Sequence, residues 1–230
     1  MGREGNGLFN PPCMIYRQEG GGMKREIGNK MKVNGEASVR VKPDMAVINI
    51  GVTTMGENLE NVRQENATAV QRVIDELVRL GIRKNDIQTL IYNVEPVYEY
   101  VDGKQVFKGY RGINTLKVIV RNTDMVGEII DRTLSTGANT ITNIRFDLSN
   151  PRGYYNRALE FAVKDAMLKA QTIAKTLGVQ LRQTPAAVRE ISYGYGPIEM
   201  ASSIKLAAAT PIVTGEIEVT ARVEADFIYI

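Results

Sequence analysis

Histidine is absent from all 230 residues. With it go the commonest general base, the commonest neutral metal ligand and every Ser-His or Cys-His nucleophile pair. Cysteine occurs once, as Cys13, so no intrachain disulfide and no thiolate metal cluster can form. Its glycine-rich surroundings supply nothing to lower a thiol pKa, which removes it as a nucleophile. No apolar run reaches the roughly 18 residues that a spanning helix needs. Residues 1 to 30 hold Arg3, Glu4, Gly20 to Gly22, Lys24, Arg25 and Glu26 but no apolar core of about seven residues, so they do not read as a secretory signal. They are expected to be a disordered tail, with Met14, Met23 and Met31 as alternative starts, and the chain as written reads as cytoplasmic.

Strong charge of either sign is missing too. The 29 Lys and Arg stand against 26 Asp and Glu, a net +3, and the signs are interspersed. Such a surface is solvated and argues against a nucleic-acid partner. What is present, 43% hydrophobic and 24% charged residues, suffices for a sizeable core in one domain or two closely joined halves.

Hydrophobic period then divides the chain. Val33, Ala37, Val39 and Val41 alternate with Asn34, Glu36, Ser38 and Arg40, and Ala46, Ile48, Ile50 and Val52 follow after Pro43-Asp44, which predicts two strands joined as a hairpin. Between 57 and 80 the period changes: Leu59, Val62, Ala69, Val70, Val73, Ile74, Leu77 and Val78 form one helical face opposite Glu60, Arg63, Gln64, Gln71, Arg72, Glu76 and Arg79, and Gly81 stops the helix. A long strand over 87 to 101, Asp102-Gly103 and a second strand over 105 to 121 predict a type I′ hairpin with Tyr98 opposite Phe107 and Tyr100 opposite Gln105. A hairpin of that length is expected to project as an arm.

Thr123 or Asp124 can cap a shorter helix carrying Val126, Ile129, Ile130 and Leu134 inward, with Gly137 as its stop. Ile144, Phe146 and Leu148 mark another strand. A long helix is predicted over 151 to 177, with Pro151 in its first turn, Gly178 after its end, and Tyr155, Ala158, Leu159, Ala162, Ala166, Ala170, Ile173 and Ala174 inward. Residues 188 to 192 read as a short strand and 193 to 209 as a long loop. The alternation from Ile217 to Tyr229 predicts a last strand with one wet face. Gly35-Glu36-Ala-Ser-Val39 echoes Gly215-Glu216-Ile-Glu-Val219, too briefly to establish a repeat. The order β-β-α-β-β-α-β-α-β-β places the chain in the α+β class, with largely antiparallel mixed sheets packed on amphipathic helices.

Chemistry is sparse. Asp44, Asp86 and Asp165 are the carboxylates that acid–base work would use, yet the first two sit at turns, where Asp caps its own backbone, and Asp165 with Lys169 reads as an i,i+4 surface pair. The glycines at 20 to 22 and 194 to 196 lack the strand, helix and Lys-Ser/Thr context of a phosphate loop. Gly109-Tyr110-Arg111-Gly112 would bring an arginine beside aromatics, but inside a strand such glycines more often mark a bulge. No catalytic residue, cofactor or metal site is therefore assigned. Tyr92, Tyr98, Tyr100, Phe107 and Tyr110 all map to the long hairpin, where they form either a subunit interface or a layer packed over one helix. A small-ligand or peptide site at an open sheet edge, or in a cleft beside residues 193 to 197, is the alternative to self-association.

Several stretches, taken in order, resemble SIMPL-domain proteins, which are also described as periplasmic immunogenic or oxidative-stress defence proteins. They are VNGEASVRVKPDMAVINIGV from Val33, LGIRKNDIQT from Leu80, PVYEY from Pro96, GYRGIN from Gly109, the alanine-spaced helix through Ala162, Ala166, Lys169, Ala170 and Ala174, and GEIEVTARV from Gly215. The match runs over about 31 to 230, and residues 181 to 211 fit least well. The resemblance implies an α+β fold, ring- or channel-like homo-oligomers in some members, export to the cell envelope in many, and no established catalytic residues.

Overall fold

The computed structural model describes residues 29–195, 198–200 and 214–230, so the tail expected over 1 to 30 lies almost wholly outside the described residues. The order is β1 (Asn29–Val41), β2 (Met45–Gly56), α1 (Leu59–Arg79), β3 (Ile87–Val101), β4 (Lys104–Val120), α2 (Val126–Thr136), β5 (Thr140–Asp147), α3 (Pro151–Leu177), β6 (Ala187–Tyr195), β7 (Ile198–Met200) and β8 (Ile217–Tyr229). Two sheets result, one of order β1-β8-β6 and one of order β3-β4-β2-β5-β7. The architecture is α+β, and the five-stranded sheet pairs its neighbours antiparallel throughout.

The chain divides into two units. The larger holds 38–158, 193–195, 198–200 and 214–220 of the described chain and centres on the five-stranded sheet. Ala46, Ile48, Ile50 and Val52 of β2, Leu116, Val118 and Val120 of β4, and Ile144 and Phe146 of β5 bury one sheet face against Ala69, Val70, Val73 and Leu77 of α1 and Ile129 and Ile130 of α2. Helix α1 starts where it does because Asn58 Oδ1 accepts hydrogen bonds from the backbone N–H groups of Glu60 and Asn61. Not every apolar residue read as inward is buried: Leu59 and Val78 sit at the helix margin and are exposed, whereas Glu76, read as outward, is buried. Glu76 is tolerated there because Arg79 and Arg132 meet its carboxylate at 3.0 and 3.5 Å. Asn66 is buried as well, its amide tying α1 to the Val52 and Gly112 carbonyls of two strands at 3.1 and 3.3 Å.

Several local readings change. The hairpin expected of the first two strands does not form: β1 neighbours β8 in the three-stranded sheet, and β2 pairs with β4 and β5 in the other. The cap before α2 is Asn122, whose Oδ1 accepts from Asp124 N; a short 3-10 turn, Thr123–Met125, intervenes before the helix. Residues 193–195 complete β6 and Ile198–Met200 add a short strand to β5, so part of the expected loop is sheet. Three residues flanked by Gly and Pro have no period to read; tertiary pairing alone makes them a strand. The rest of that loop, 201 to 209, lies outside the described residues.

The smaller unit holds 29–37, 159–192 and 221–230 of the described chain. There Ala162, Ala166, Ala170 and Ala174 recur every fourth residue of α3 as a fully or nearly fully buried stripe. Ile173 falls off that stripe and is exposed, a departure from its expected inward position. Met31, Val33, Ala221, Val223, Ala225 and Phe227 provide the buried faces of β1 and β8. The two strands with similar sequences are neighbours in their sheet.

Candidate functional site: the aromatic hairpin

Strands β3 and β4 pair near the turn as the alternation required, Tyr98 opposite Phe107 and Tyr100 opposite Gln105; farther from the turn the register shifts by one, which sets Pro96 opposite Tyr110 and not Gly109. Asp102 and Gly103 adopt φ of 52° and 76°, the positive pair of a type I′ turn. Strand β2 backs β4 only from Tyr110 to Val120, so the hairpin beyond that point is a two-stranded ribbon. Every residue from 98 to 108 is exposed.

Tyr92, Val94, Pro96, Tyr98 and Tyr100 occupy alternate positions of β3 and thus share one face. Their partners bring Tyr110 and Phe107 to the same face. Phe107 packs edge-on against Tyr98 at 5.7 Å and against Tyr110 at 5.3 Å between ring centroids. Phe107 and Tyr110 have opposite parity and would lie on opposite faces of a regular strand. A β-bulge reconciles them: the register slips between Val97 and Tyr98, Lys108 has no partner, and Gly109 takes φ of 119°. The bulge expected of the Gly109–Gly112 run is thus real, and Arg111 is spent on Glu95 instead of a ring. The reverse face is charged, with Arg111 and Asn93 on Glu95 and Lys108 on Glu99 at 3.0 Å.

Of the two readings of these aromatics, packing over a helix is the weaker. Tyr100 is 75% exposed, Tyr92 57%, Tyr98 49% and Phe107 45%, while Tyr110 is half-buried. Leu90, Ile91, Val101 and Val106 are exposed as well, but Val106 pairs with Glu99, and Ile91 and Val101 share the parity of Glu99, so these three lie on the charged reverse face. Strand β3 is also an outermost strand, yet it is blunted: Pro96 lacks a donor, Leu90 lies at a register break, and Glu95 and Glu99 line it. Strand addition is disfavoured at such an edge, and a contact would use the face. The alternative ligand cleft beside 193 to 197 includes Gly196 and Pro197, which lie outside the described residues.

The three carboxylates are dispersed and held. Asp44 accepts from Ser149 N and Oγ at 2.7 and 2.6 Å, pinning one loop to another and not its own backbone. Asp165 pairs with Lys169 at 2.6 Å as expected and also accepts from Glu36 N. Asp86 departs most from its expected role as a local cap. It is buried, with Arg83 Nε at 2.7 Å and Arg121 Nε and Nη2 at 3.2 and 3.1 Å. The spacing from Arg83 to Asp86 is visible in sequence, but Arg121, 35 residues on, is brought there only by the pairing of β3 with β4.

The Arg83 hydrogen bond first, then that of Arg121, holds Asp86 below the ordinary carboxylate pKa. A depressed folded-state value means stabilisation that is present above the unfolded pKa of about 3.9 and is lost as pH falls through the folded value. Asp86→Asn is therefore expected to lower stability by about 1–2 kcal/mol at neutral pH. The gap between wild type and variant in urea melts should close below about pH 4; a gap constant from pH 7 to 3 would refute the linkage.

Residues 31–227 match the SIMPL family model, described as a protein of unknown function (DUF541). The 26 kDa periplasmic immunogenic protein of Brucella melitensis is 32% identical over 199 residues, covering 81% of this chain and 79% of that protein. The uncharacterized protein YggE of Escherichia coli is 29% identical over 86% of this chain and 80% of its own length. YggE of Edwardsiella ictaluri is 28% identical over 80% of this chain. With nearly the whole described chain inside one family model and a relative above 30% identity, the chain belongs to the SIMPL family.

Proposed function

We propose that this protein acts by self-association: copies join through the aromatic face of the β3–β4 hairpin into ring- or channel-like oligomers that serve stress defence in the cell envelope, without catalysis of their own. The observation that carries the reading is the solvent exposure of Tyr92, Tyr98, Tyr100 and Phe107 on one face of a hairpin whose tip leaves its sheet. A contiguous aromatic face is costly to leave in water and is the composition that the centres of subunit interfaces favour. The absence of histidine and the engagement of Asp44, Asp86 and Asp165 in ion pairs and loop ties support a role without turnover. The envelope is the compartment proposed because the Brucella relative is named as periplasmic.

Replacing Tyr98 and Phe107 together by Asp tests the reading. The assembly's dissociation constant is expected to rise about 100-fold or more, since central aromatics carry a disproportionate share of interface energy. Both residues are about half exposed at the hairpin tip, outside the buried core, so the urea midpoint should move much less than the association does. Light scattering after size-exclusion reads the outcome, and an unchanged mass for the folded variant would reject the hairpin as the interface.

A further inference from the structure

We infer that the cavity between the end of α1 and the end of β4 is a binding site for a small oxyanion carrying a short apolar body, gripped by Arg83 and Arg121. This site lies in the larger unit, away from the aromatic ribbon, and does not depend on self-association. The cavity has a volume of about 300 Å³, the lower end of the range of ligand pockets. Leu80, Ile82, Ile119, Val120 and Met125 give it apolar walls, with Arg83, Asp86, Arg121 and Asn122 as its polar part.

Charge arithmetic makes this more than a structural ion pair. One carboxylate is buried between two guanidiniums, which leaves the group one positive charge in excess. Asp86 occupies Nε of Arg83 and Nε and Nη2 of Arg121. Both Nη groups of Arg83 and Nη1 of Arg121 are left without a protein partner among the described residues. Both arginines are more than half exposed, so these donors are open to an incoming anion. The buried carboxylate fixes the orientation of both forks in advance, which lowers the ordering cost of binding. Planar guanidinium donors match the spacing of carboxylate or phosphate oxygens, and the apolar walls beside them ask for carbon on the other end.

Three probes separate charge from body: 4-methylpentanoate, 4-methylpentan-1-ol and inorganic phosphate. Methyl NMR of the full chain is expected to show saturable shifts at Ile82, Ile119, Val120 and Met125 with 4-methylpentanoate, with a dissociation constant on the order of 1 mM. Arg83→Gln and Arg121→Gln should each weaken that binding about tenfold, and the alcohol and phosphate should each bind at least that much more weakly than the carboxylate. If Arg121→Gln does not fold, Arg83→Gln carries the comparison, because Asp86 then keeps its two bonds from Arg121. Equal affinity for the alcohol, no saturable shift at the four side chains, or binding unmoved by a folded arginine variant would each overturn the proposal. Phosphate binding as tightly as the carboxylate would also overturn it, by showing that the apolar walls contribute nothing.

Discussion

Gly35→Ala is expected to destabilise the protein by roughly 3 kcal/mol or more, among the largest effects available to a single methyl group. A Cβ at that position would lie 2.0 Å from the carbonyl oxygen of Ala162 and 2.8 Å from the Cβ and backbone N of Ala166. Two of those three atoms are backbone, so no rotamer change relieves the overlap and α3 itself must move. The helix is tied to the strand on both sides of the glycine: Asp165 accepts from Glu36 N at 2.9 Å, and Lys169 Nζ donates to the Asn34 carbonyl at 3.1 Å. Moving α3 outward stretches both bonds and opens the buried alanine stripe. The opposing term, the lower unfolded-state entropy of alanine, favours the variant by only about 0.4–1 kcal/mol and does not reverse the sign. Urea melts followed by circular dichroism read the loss; a variant within about 1 kcal/mol of wild type would show that the helix does not sit this close.

Gly109→Ala should cost about 2 kcal/mol or more and, unlike the first substitution, should act on assembly as well. The residue combines a φ of 119° with a Cβ position 2.5 Å from the carbonyl oxygen of Gly56, so it faces both backbone strain and a main-chain clash. The bulge it supports is what places Phe107 and Tyr110 on one face. If the strand regularises, their rings part, and the expected signature is weakened association together with a lowered melting midpoint. Tyr98→Asp with Phe107→Asp weakens association alone, so comparing the two variants distinguishes a misdirected face from a missing one. A Gly109→Ala protein that keeps wild-type stability and mass would contradict the role given to the bulge.

Local period and turn chemistry carried most of this fold. Strict alternation places β2 and β8, Asp-Gly sets the register of β3 on β4 as far as Tyr98 and Phe107, where the bulge shifts it, and Pro151 and Gly178 bracket α3. What resisted reading was decided by partners distant in sequence. Strand β7 exists through pairing with β5, Glu76 is buried because Arg132 of another helix reaches it, and Asp86 is enclosed because Arg121 arrives from the far end of a hairpin. The five aromatics were identifiable as a group from the hairpin alone; the bulge that unites their faces was signalled by Gly109, but its consequence for Phe107 required the register. The cavity beside Arg83 had no sequence signal, because its walls come from three separate elements.

The molar mass of the wild-type protein at ~5 µM, measured by sedimentation equilibrium, bears hardest on the proposed role, because interfaces built on buried aromatics hold at micromolar concentration. A mass at a whole-number multiple of the 25.5 kDa chain, falling to that of one chain when Tyr98 and Phe107 are replaced by Asp, is the expected result. A wild-type protein sedimenting at 25.5 kDa throughout would contradict it.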